Sequence, residues 1–309
     1  CMQIDLNKLF KNGFSTGHGH LREPQSINAY SALAAIAIQS DQNDQHGGQS
    51  IPAFDFYMAP GVLKTFKKEY KQALYELLDF TDFISFVNMD KVAMAIDKLN
   101  SIHVDISDFD NFYKESKEVR RIFEKAYDTA LAKTDRATYQ AMEAFVHNLN
   151  TMHSRAGAQV PFSSINFGTD TSPEGRMVMK NYLLSVDAGL GKNETPIFPI
   201  SIFKIKEGVN YNPGDPNYDL FRLSCKVSAK RLFPNFSFMD SPFNAQYYKG
   251  DYNTEVCYMG CRTRVIGNVV DPNKAVTPGR GNLSFTSINL PRLGIKHGIV
   301  SNEKTDLDG

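Results

Sequence analysis

The sequence predicts an α/β protein whose first half is mostly helical. Three observations carry that reading. Residues 197–203, Ile197-Phe198-Pro199-Ile200-Ser201-Ile202-Phe203, are almost continuously apolar, as in a strand covered on both faces of a parallel sheet. Around this run, strand-like and helix-like segments alternate from residue 160 to 239, the order expected of α/β architecture. Upstream of residue 155, the apolar residues recur mainly at helical spacing.

Taken in order, residues 1–6 alternate in part and predict a short strand, closed by the turn signal Asn12-Gly13. Residues 14–24 hold His18 and His20 among glycines. A His-x-His pair can ligate metal, but no Cys or carboxylate sits at ligand spacing beside it, and a polar loop is predicted. Residues 26–39 predict a helix capped by Ser26, with Ile27, Tyr30, Ala34 and Ile38 on one side. Its many alanines make it narrow enough for close helix packing, within the chain or across a dimer. Residues 40–50 predict a loop. Amphipathic helices follow at 62–79, 117–133 and 137–152; the lysines of the first, at 64, 67, 68 and 71, read as its solvated face. His147 and His153 read as structural.

Residues 160–168 predict a strand ending at Gly168. Thr171 and Glu174 have capping-box spacing, with Pro173 in the first turn of a helix that ends near Gly189. Asp215-Pro216 opens a further helix reaching about Leu232, in which Cys225 reads as a buried, inert thiol. Residues 235–239 predict a strand. Residues 240–281 have no strong period, and a loop of that length in a compact domain is usually functional or disordered. Residues 284–290 predict a final strand closed by Pro291.

Composition narrows the function classes. Lys plus Arg and Asp plus Glu both number 34, so the formal net charge is zero and no general nucleic-acid or membrane-surface footprint is present. No run has the length of a membrane span. Four cysteines (Cys1, Cys225, Cys257, Cys261) in 309 residues make no disulfide framework, which suggests a reduced cytoplasmic protein. The chain begins at Cys1 without an initiator Met and reads as a piece of something longer.

Cys261 sits in the long loop, between Gly260 and Arg262. Nearby cations and loop access favour a reactive thiolate, whereas free cysteines are usually small buried apolar residues. On residue chemistry alone both roles stay open. Cys257, four residues earlier, leaves open a redox or metal clip with Cys261 on a nucleotide-binding module.

Several stretches, in order, closely resemble one family: Cys1-Met2-Gln3-Ile4-Asp5-Leu6; His153-Ser154-Arg155-Ala156-Gly157-Ala158-Gln159-Val160-Pro161-Phe162-Ser163-Ser164; Gly214-Asp215-Pro216-Asn217-Tyr218-Asp219; Met259-Gly260-Cys261-Arg262-Thr263; Gly279-Arg280-Gly281-Asn282-Leu283-Ser284-Phe285; and Ile288-Asn289-Leu290-Pro291-Arg292. The family is the anaerobic (class III, glycyl-radical) ribonucleoside-triphosphate reductase, and the likeness spans nearly the whole chain.

The resemblance implies a ten-stranded α/β barrel of two half-barrels, with a finger loop through its centre. It implies one catalytic barrel portion over 1–309, helix-rich over 1–155 and strand–helix over 156–309. By motif, Cys261 at the finger tip would be the transient thiyl radical that abstracts the ribose 3′ hydrogen. Cys1 would be the hydrogen donor on the opposite face of the substrate, and Asn282 would hydrogen-bond the ribose hydroxyl. Met259 resembles the methionine of members that use formate as reductant, although Cys257 nearby could instead belong to thiol chemistry. Arg262 and Ser284 are candidates for substrate contact, and Gln39 and Gln49 for the dNTP or ATP effector. The resemblance further implies a homodimer, a radical-SAM activating enzyme, a glycyl radical on a C-terminal segment, and zinc in a C-terminal four-cysteine domain. Neither that segment, that domain nor an N-terminal ATP-cone is present in these residues, so the piece alone is expected to be inactive. Another glycyl-radical enzyme, of the pyruvate formate-lyase type, would carry adjacent active-site cysteines, which this sequence lacks.

Overall fold

A computed structural model of the chain describes residues 1–298 apart from 114–115, 154–156, 261 and 283–285. Cys261 and Ser284 therefore lie outside the described residues, as does the middle of the His153 motif.

β1 (Met2–Gln3) leads directly into α1 (Leu6–Asn12), capped by Asp5, so the opening strand is shorter than its alternation suggests. The predicted polar loop at 14–24 contains a small antiparallel hairpin, β2 (Phe14–Ser15) with β3 (His20–Leu21), and both His18 and His20 are exposed. α2 (Ile27–Asp44) starts at its Ser26 cap and runs past the predicted end. β4 (Gln49–Ile51) lies in what reads as loop. Its side chains are wholly buried, but three residues are too few to show a period.

α3 (Phe54–Phe80) begins eight residues before the predicted helix, with Pro60 inside it. α4 (Met89–Asp97), capped by Asn88, has no counterpart in the sequence reading. After the short α5 (Asp110–Tyr113), the two helices predicted over 117–152 form one, α6 (Lys117–Thr151). Thr134 and Thr138 at their junction return their hydroxyls to the carbonyls of Ala130 and Thr134, at 2.7 and 2.8 Å, and so stay inside the helix.

β5 (Ser163–Phe167), α7 (Pro173–Ala188), β6 (Ile200–Ile205), α8 (Tyr218–Arg231) and β7 (Asn235–Phe238) follow in the expected alternation. Ser172, not Thr171, caps α7: its Oγ accepts from the Gly175 N–H at 3.0 Å. Glu174 turns away from the cap and accepts from the Ile102 N–H at 2.5 Å. Cys225 is exposed, contrary to expectation. The buried stripe of α8 is Leu220, Ser224, Val227 and Arg231, and Cys225 lies one helical step off it. α9 (Pro242–Ala245) and a two-stranded hairpin, β8 (Cys257–Tyr258) with β9 (Arg264–Val265), give structure to the long loop. Pro291 does not close a strand: it sits in the first turn of α10 (Leu290–His297).

The main sheet is five-stranded and parallel, in the order β1-β4-β5-β6-β7. Strand order follows chain order, so each crossover steps to the next position in one direction. A single antiparallel bridge, Met2 to Gly281, is made to the outer side of β1. The sheet's two faces differ. One is apolar and covered by helices: Ile165, Phe167, Phe203 and Ile205 meet the aromatic packing around Tyr182 of α7. α2, α3, α6 and α7 pack on one another over that face. The alanines of α2 are used there within the chain, and Ser31 of α2 donates to the Ala141 carbonyl of α6 at 2.7 Å. The opposite face carries Ser50, Ser164, Asn166 and Lys204 beside Ile200 and Ile202, and the hairpin loop lies on it.

Candidate active site

Chain register fixes which side chains meet the loop. Ser50, Ser164 and Ile200 are aligned across β4, β5 and β6, and Asn166 is aligned with Ile202. Alternation then brings Ser50, Ser164, Asn166, Ile200, Ile202 and Lys204 to one face. The segment from Glu255 to Gly260 descends along that face from the C-terminal towards the N-terminal ends of the strands, and β9 returns alongside β8.

Its upper end is held by charge. Glu255 and Lys204 are almost wholly buried and form an ion pair at 3.1 Å. Lys206 reaches the other carboxylate oxygen at 3.2 Å, and the Thr169 hydroxyl donates to Glu255 Oε2 at 2.9 Å. Lys204 also donates to the Pro52 carbonyl at 3.0 Å. Burial pushes the Glu255 carboxyl up, but Lys204 and Lys206, with the hydrogen bonds from Lys204 and Thr169, outweigh it and leave it below the ordinary glutamate value. Burial pulls Lys204 down; the negative groups around it reverse that and hold it protonated. Burial raises both the Cys257 thiol and the Asp55 carboxyl, so the charge facing Lys204 most directly is that of Glu255. Cys257 Sγ lies 3.4 Å from the Pro52 carbonyl and the Thr277 hydroxyl, in the stem of the hairpin.

One residue further on, Asn166 grips the backbone. Its Oδ1 accepts from the Tyr258 N–H and its Nδ2 donates to the Tyr258 carbonyl, both at 2.9 Å. Ser50 Oγ donates to the same carbonyl at 3.4 Å. The hairpin then turns, with Met259 N–H donating to the Thr263 carbonyl at 3.0 Å and Arg262 in the left-handed region at φ 80°. Gly260 lies against the start of β6: a Cβ there would stand 2.7 Å from Ile200 Cδ1. Glycine beside the motif cysteine is thus a matter of clearance.

Cys1 and Asn282 arrive at the same tip. Cys1 is half-buried, and its thiol rests on the bare backbone of Gly47, where a Cβ would lie 2.3 Å from Sγ. Asn282 N–H donates to the Cys1 carbonyl at 3.0 Å, and its Nδ2 donates to the Thr263 hydroxyl at 3.2 Å. Two cavities flank the tip and share Ile200, Met259 and Gly260. One, of about 390 Å³, is lined by Cys1, Gly47, Gly48, Phe162, Ser164 and Phe198 among others. The other, of about 410 Å³, is lined by Asn235, Ser237, Phe243, Tyr258 and Arg262 among others.

The structure thus brings Cys1, Asn282, Met259 and Arg262 around one hairpin turn, whose residue 261 is outside the described set. Gly47 and Gly48, in the stretch predicted as a loop, lie beside Cys1, because β4 is the parallel neighbour of β1. Gln49 is wholly buried and Gln39 half-buried on α2; neither lines either cavity. Cys257 lines neither cavity as well. Asn166, Lys204 and Glu255 are absent from the sequence reading. Lys204 carried a signal, since a lysine inside an apolar strand demands a buried partner.

Comparison with known proteins identifies the family. The family profile described as anaerobic ribonucleoside-triphosphate reductase matches residues 1–306. The anaerobic ribonucleoside-triphosphate reductase of Escherichia coli K12 is 28% identical over 297 residues, covering 96% of this chain and 34% of that protein. That of Enterobacteria phage T4 is 28% identical over 296 residues, covering 96% of this chain and 41% of the phage protein. That of Haemophilus influenzae is 27% identical over 297 residues, covering 96% of this chain and 34% of the relative. The chain therefore spans between 34% and 41% of the length of these relatives. It belongs to the anaerobic ribonucleoside-triphosphate reductase family.

Proposed function

We propose that this chain is the part of a reductase that converts ribonucleoside triphosphates to 2′-deoxyribonucleoside triphosphates by thiyl-radical chemistry. The observation that carries the reading is that Cys1 lines a cavity beside the hairpin turn bearing Cys261, while Asn282 bonds both the Cys1 backbone and Thr263 of that turn. In this reading the parallel sheet β1-β4-β5-β6-β7 is one half of a ten-stranded barrel within a single catalytic domain, and the hairpin is its finger. The antiparallel bridge at Gly281 begins the second half.

The residue types suit the chemistry. A thiyl at Cys261 forms an S–H bond as the ribose C3′–H bond breaks, and later returns that hydrogen. Cys1 supplies hydrogen as the 2′-hydroxyl leaves as water. Asn282, an amide, cannot act as a carboxylate base, but it can orient a hydroxyl. The net change breaks C2′–O and forms C2′–H; its two electrons come from formate, which leaves as carbon dioxide. Formate is favoured over a thiol reductant because Met259 lines both cavities while Cys257 lines neither. The glycyl radical implied for the family supplies, when present, a carbon centre able to accept a thiol hydrogen.

Arg262 and Ser284 are assigned to substrate contact, and Gln39 and Gln49 to the effector region. A radical-SAM activating enzyme, dNTP and ATP effectors, a homodimer, zinc in a C-terminal domain and a cytoplasmic setting complete the proposal. Among the described residues, no helix is long and apolar enough to cross a membrane. The test is Cys261→Ala in the full-length reductase. Turnover is expected to vanish while nucleotide binding persists, and retained turnover refutes the role.

A further inference from the structure

The polar side chains on the loop-covered face of the sheet need a physical reason. A parallel sheet covered on both sides ordinarily presents apolar residues to each cover. Here the helix-covered face is apolar over its C-terminal part, at Ile165, Phe167, Phe203 and Ile205, whereas the loop-covered face sets Asn166 and Lys204 at the same level. Asn166 is wholly buried in the middle of β5, where a carboxamide without partners would be costly. Its shortest bonds are to the two main-chain groups of one loop residue, Tyr258, in the arrangement a neighbouring strand would use, and its Nδ2 also reaches the Ser50 hydroxyl and the Ile51 carbonyl of β4 at 3.3 Å. The side chain stands in for a β-ladder at the point where the hairpin passes over the sheet. Three residues beyond Tyr258 is position 261.

Resting on the function proposed above, we propose that Asn166 is a positioning residue for the chemistry at the hairpin tip. Its carboxamide fixes the register of Tyr258 on the sheet and thereby sets where the turn that follows, from Met259 onward, stands relative to Cys1 and Asn282. The Lys204–Glu255 pair holds the stem, and Ser50 adds a longer contact to the same Tyr258 carbonyl. Between the stem and the turn, Asn166 is the side chain that bonds both the N–H and the carbonyl of one hairpin residue. Sliding the hairpin by a fraction of a residue would cost both bonds at once. Hydrogen-atom transfer between a thiyl and a ribose carbon depends steeply on separation, so an error of about 1 Å at the tip costs on the order of a hundredfold in rate.

The experiment compares Asn166→Asp and Asn166→Ala with the unaltered protein in the full-length reductase. Aspartate keeps the acceptor for the Tyr258 N–H and loses the donor to its carbonyl; alanine loses both. The expected result is a kcat reduced about tenfold to a hundredfold per folded molecule, with KM for the ribonucleoside triphosphate within about twofold. Amide exchange at Tyr258 should accelerate more in the alanine than in the aspartate variant. Alkylation of Cys261 should change severalfold while helical content is unchanged. Unchanged kcat per folded molecule, or unchanged Tyr258 protection in the alanine variant, overturns the proposal. If alanine does not fold, the isosteric aspartate variant carries the same readouts. If the unaltered reductase reduces no ribonucleoside triphosphate, the functional reading fails; exchange at Tyr258 and alkylation of Cys261 still decide the positioning.

Discussion

Replacing Lys204 by methionine removes the cation at the centre of the hairpin stem while keeping its length. Lys204 and Glu255 are 1% and 3% exposed, so solvent does little to screen their interaction or its loss. Breaking a buried pair by removing one partner costs about 3–5 kcal/mol, mainly because the remaining charge is uncompensated. Glu255 would keep Lys206 at 3.2 Å and the Thr169 hydroxyl at 2.9 Å, which argues for the lower end, about 3 kcal/mol. The Pro52 carbonyl would lose one donor but keep Cys257. For a chain of this size that corresponds to a fall in Tm of roughly 4–6 °C. Urea unfolding followed by circular dichroism measures the free energy directly. The double variant Lys204→Met with Glu255→Met removes both charges and should recover most of the loss, to within about 1 kcal/mol of the unaltered protein. The acid limb should move too. Glu255 titrates below its ordinary value, so its stabilisation is present above that value and is lost as pH falls through the folded pKa. Without Lys204 the loss should begin at higher pH. A single variant within about 1 kcal/mol of the unaltered protein, or a double variant as unstable as the single, refutes the reasoning.

Other outcomes follow from named contacts. Burial, then the charge of Asp55, raises the Asp170 carboxyl to about 6, so its folded form prefers the proton and stability falls as pH rises from 3.8 to about 6. Asp170→Asn should therefore gain roughly 1–3 kcal/mol over the unaltered protein at pH 7.5 and little at pH 4, by unfolding at the two pH values. Gly47→Ala places a Cβ 2.3 Å from Cys1 Sγ at φ 82°; it should lose at least about 1 kcal/mol and alter the alkylation rate of Cys1, read by mass spectrometry. Arg231 donates to the carbonyls of Asp187 and Ala188 at the C-terminus of α7 and of Asn193 just beyond it, and Arg231→Met should cost about 3 kcal/mol in urea unfolding. Exposed Cys225 should be alkylated at once in the folded protein, and Cys257 only on unfolding.

The elements legible in the sequence were those whose instructions are local. Ser26 marks the start of α2, and the Gly168 and Gly189 turns end β5 and α7, because caps and turns are set by neighbouring residues. Where several local signals competed, tertiary contacts chose. Ser172 took the cap that Thr171 might have claimed, and Glu174 went to Ile102. β4 was invisible because its partners, β1 and β5, lie 47 and 114 residues away by register. The site shows the same division. Cys1, Met259, Arg262 and Asn282 were legible through motif order. Asn166 and Glu255 were not, because each is ordinary in its own neighbourhood and acquires meaning only when the hairpin is laid over the sheet.

The Asn166 carboxamide touches only the peptide atoms of residue 258 on the hairpin, and it is therefore indifferent to which side chains the hairpin carries. A mounting of this kind separates where the turn is placed from what the turn contains. Residues at the tip can be exchanged while the support beneath stays as it is. The sheet acts as a socket for interchangeable tips, and its tolerance is set by one amide.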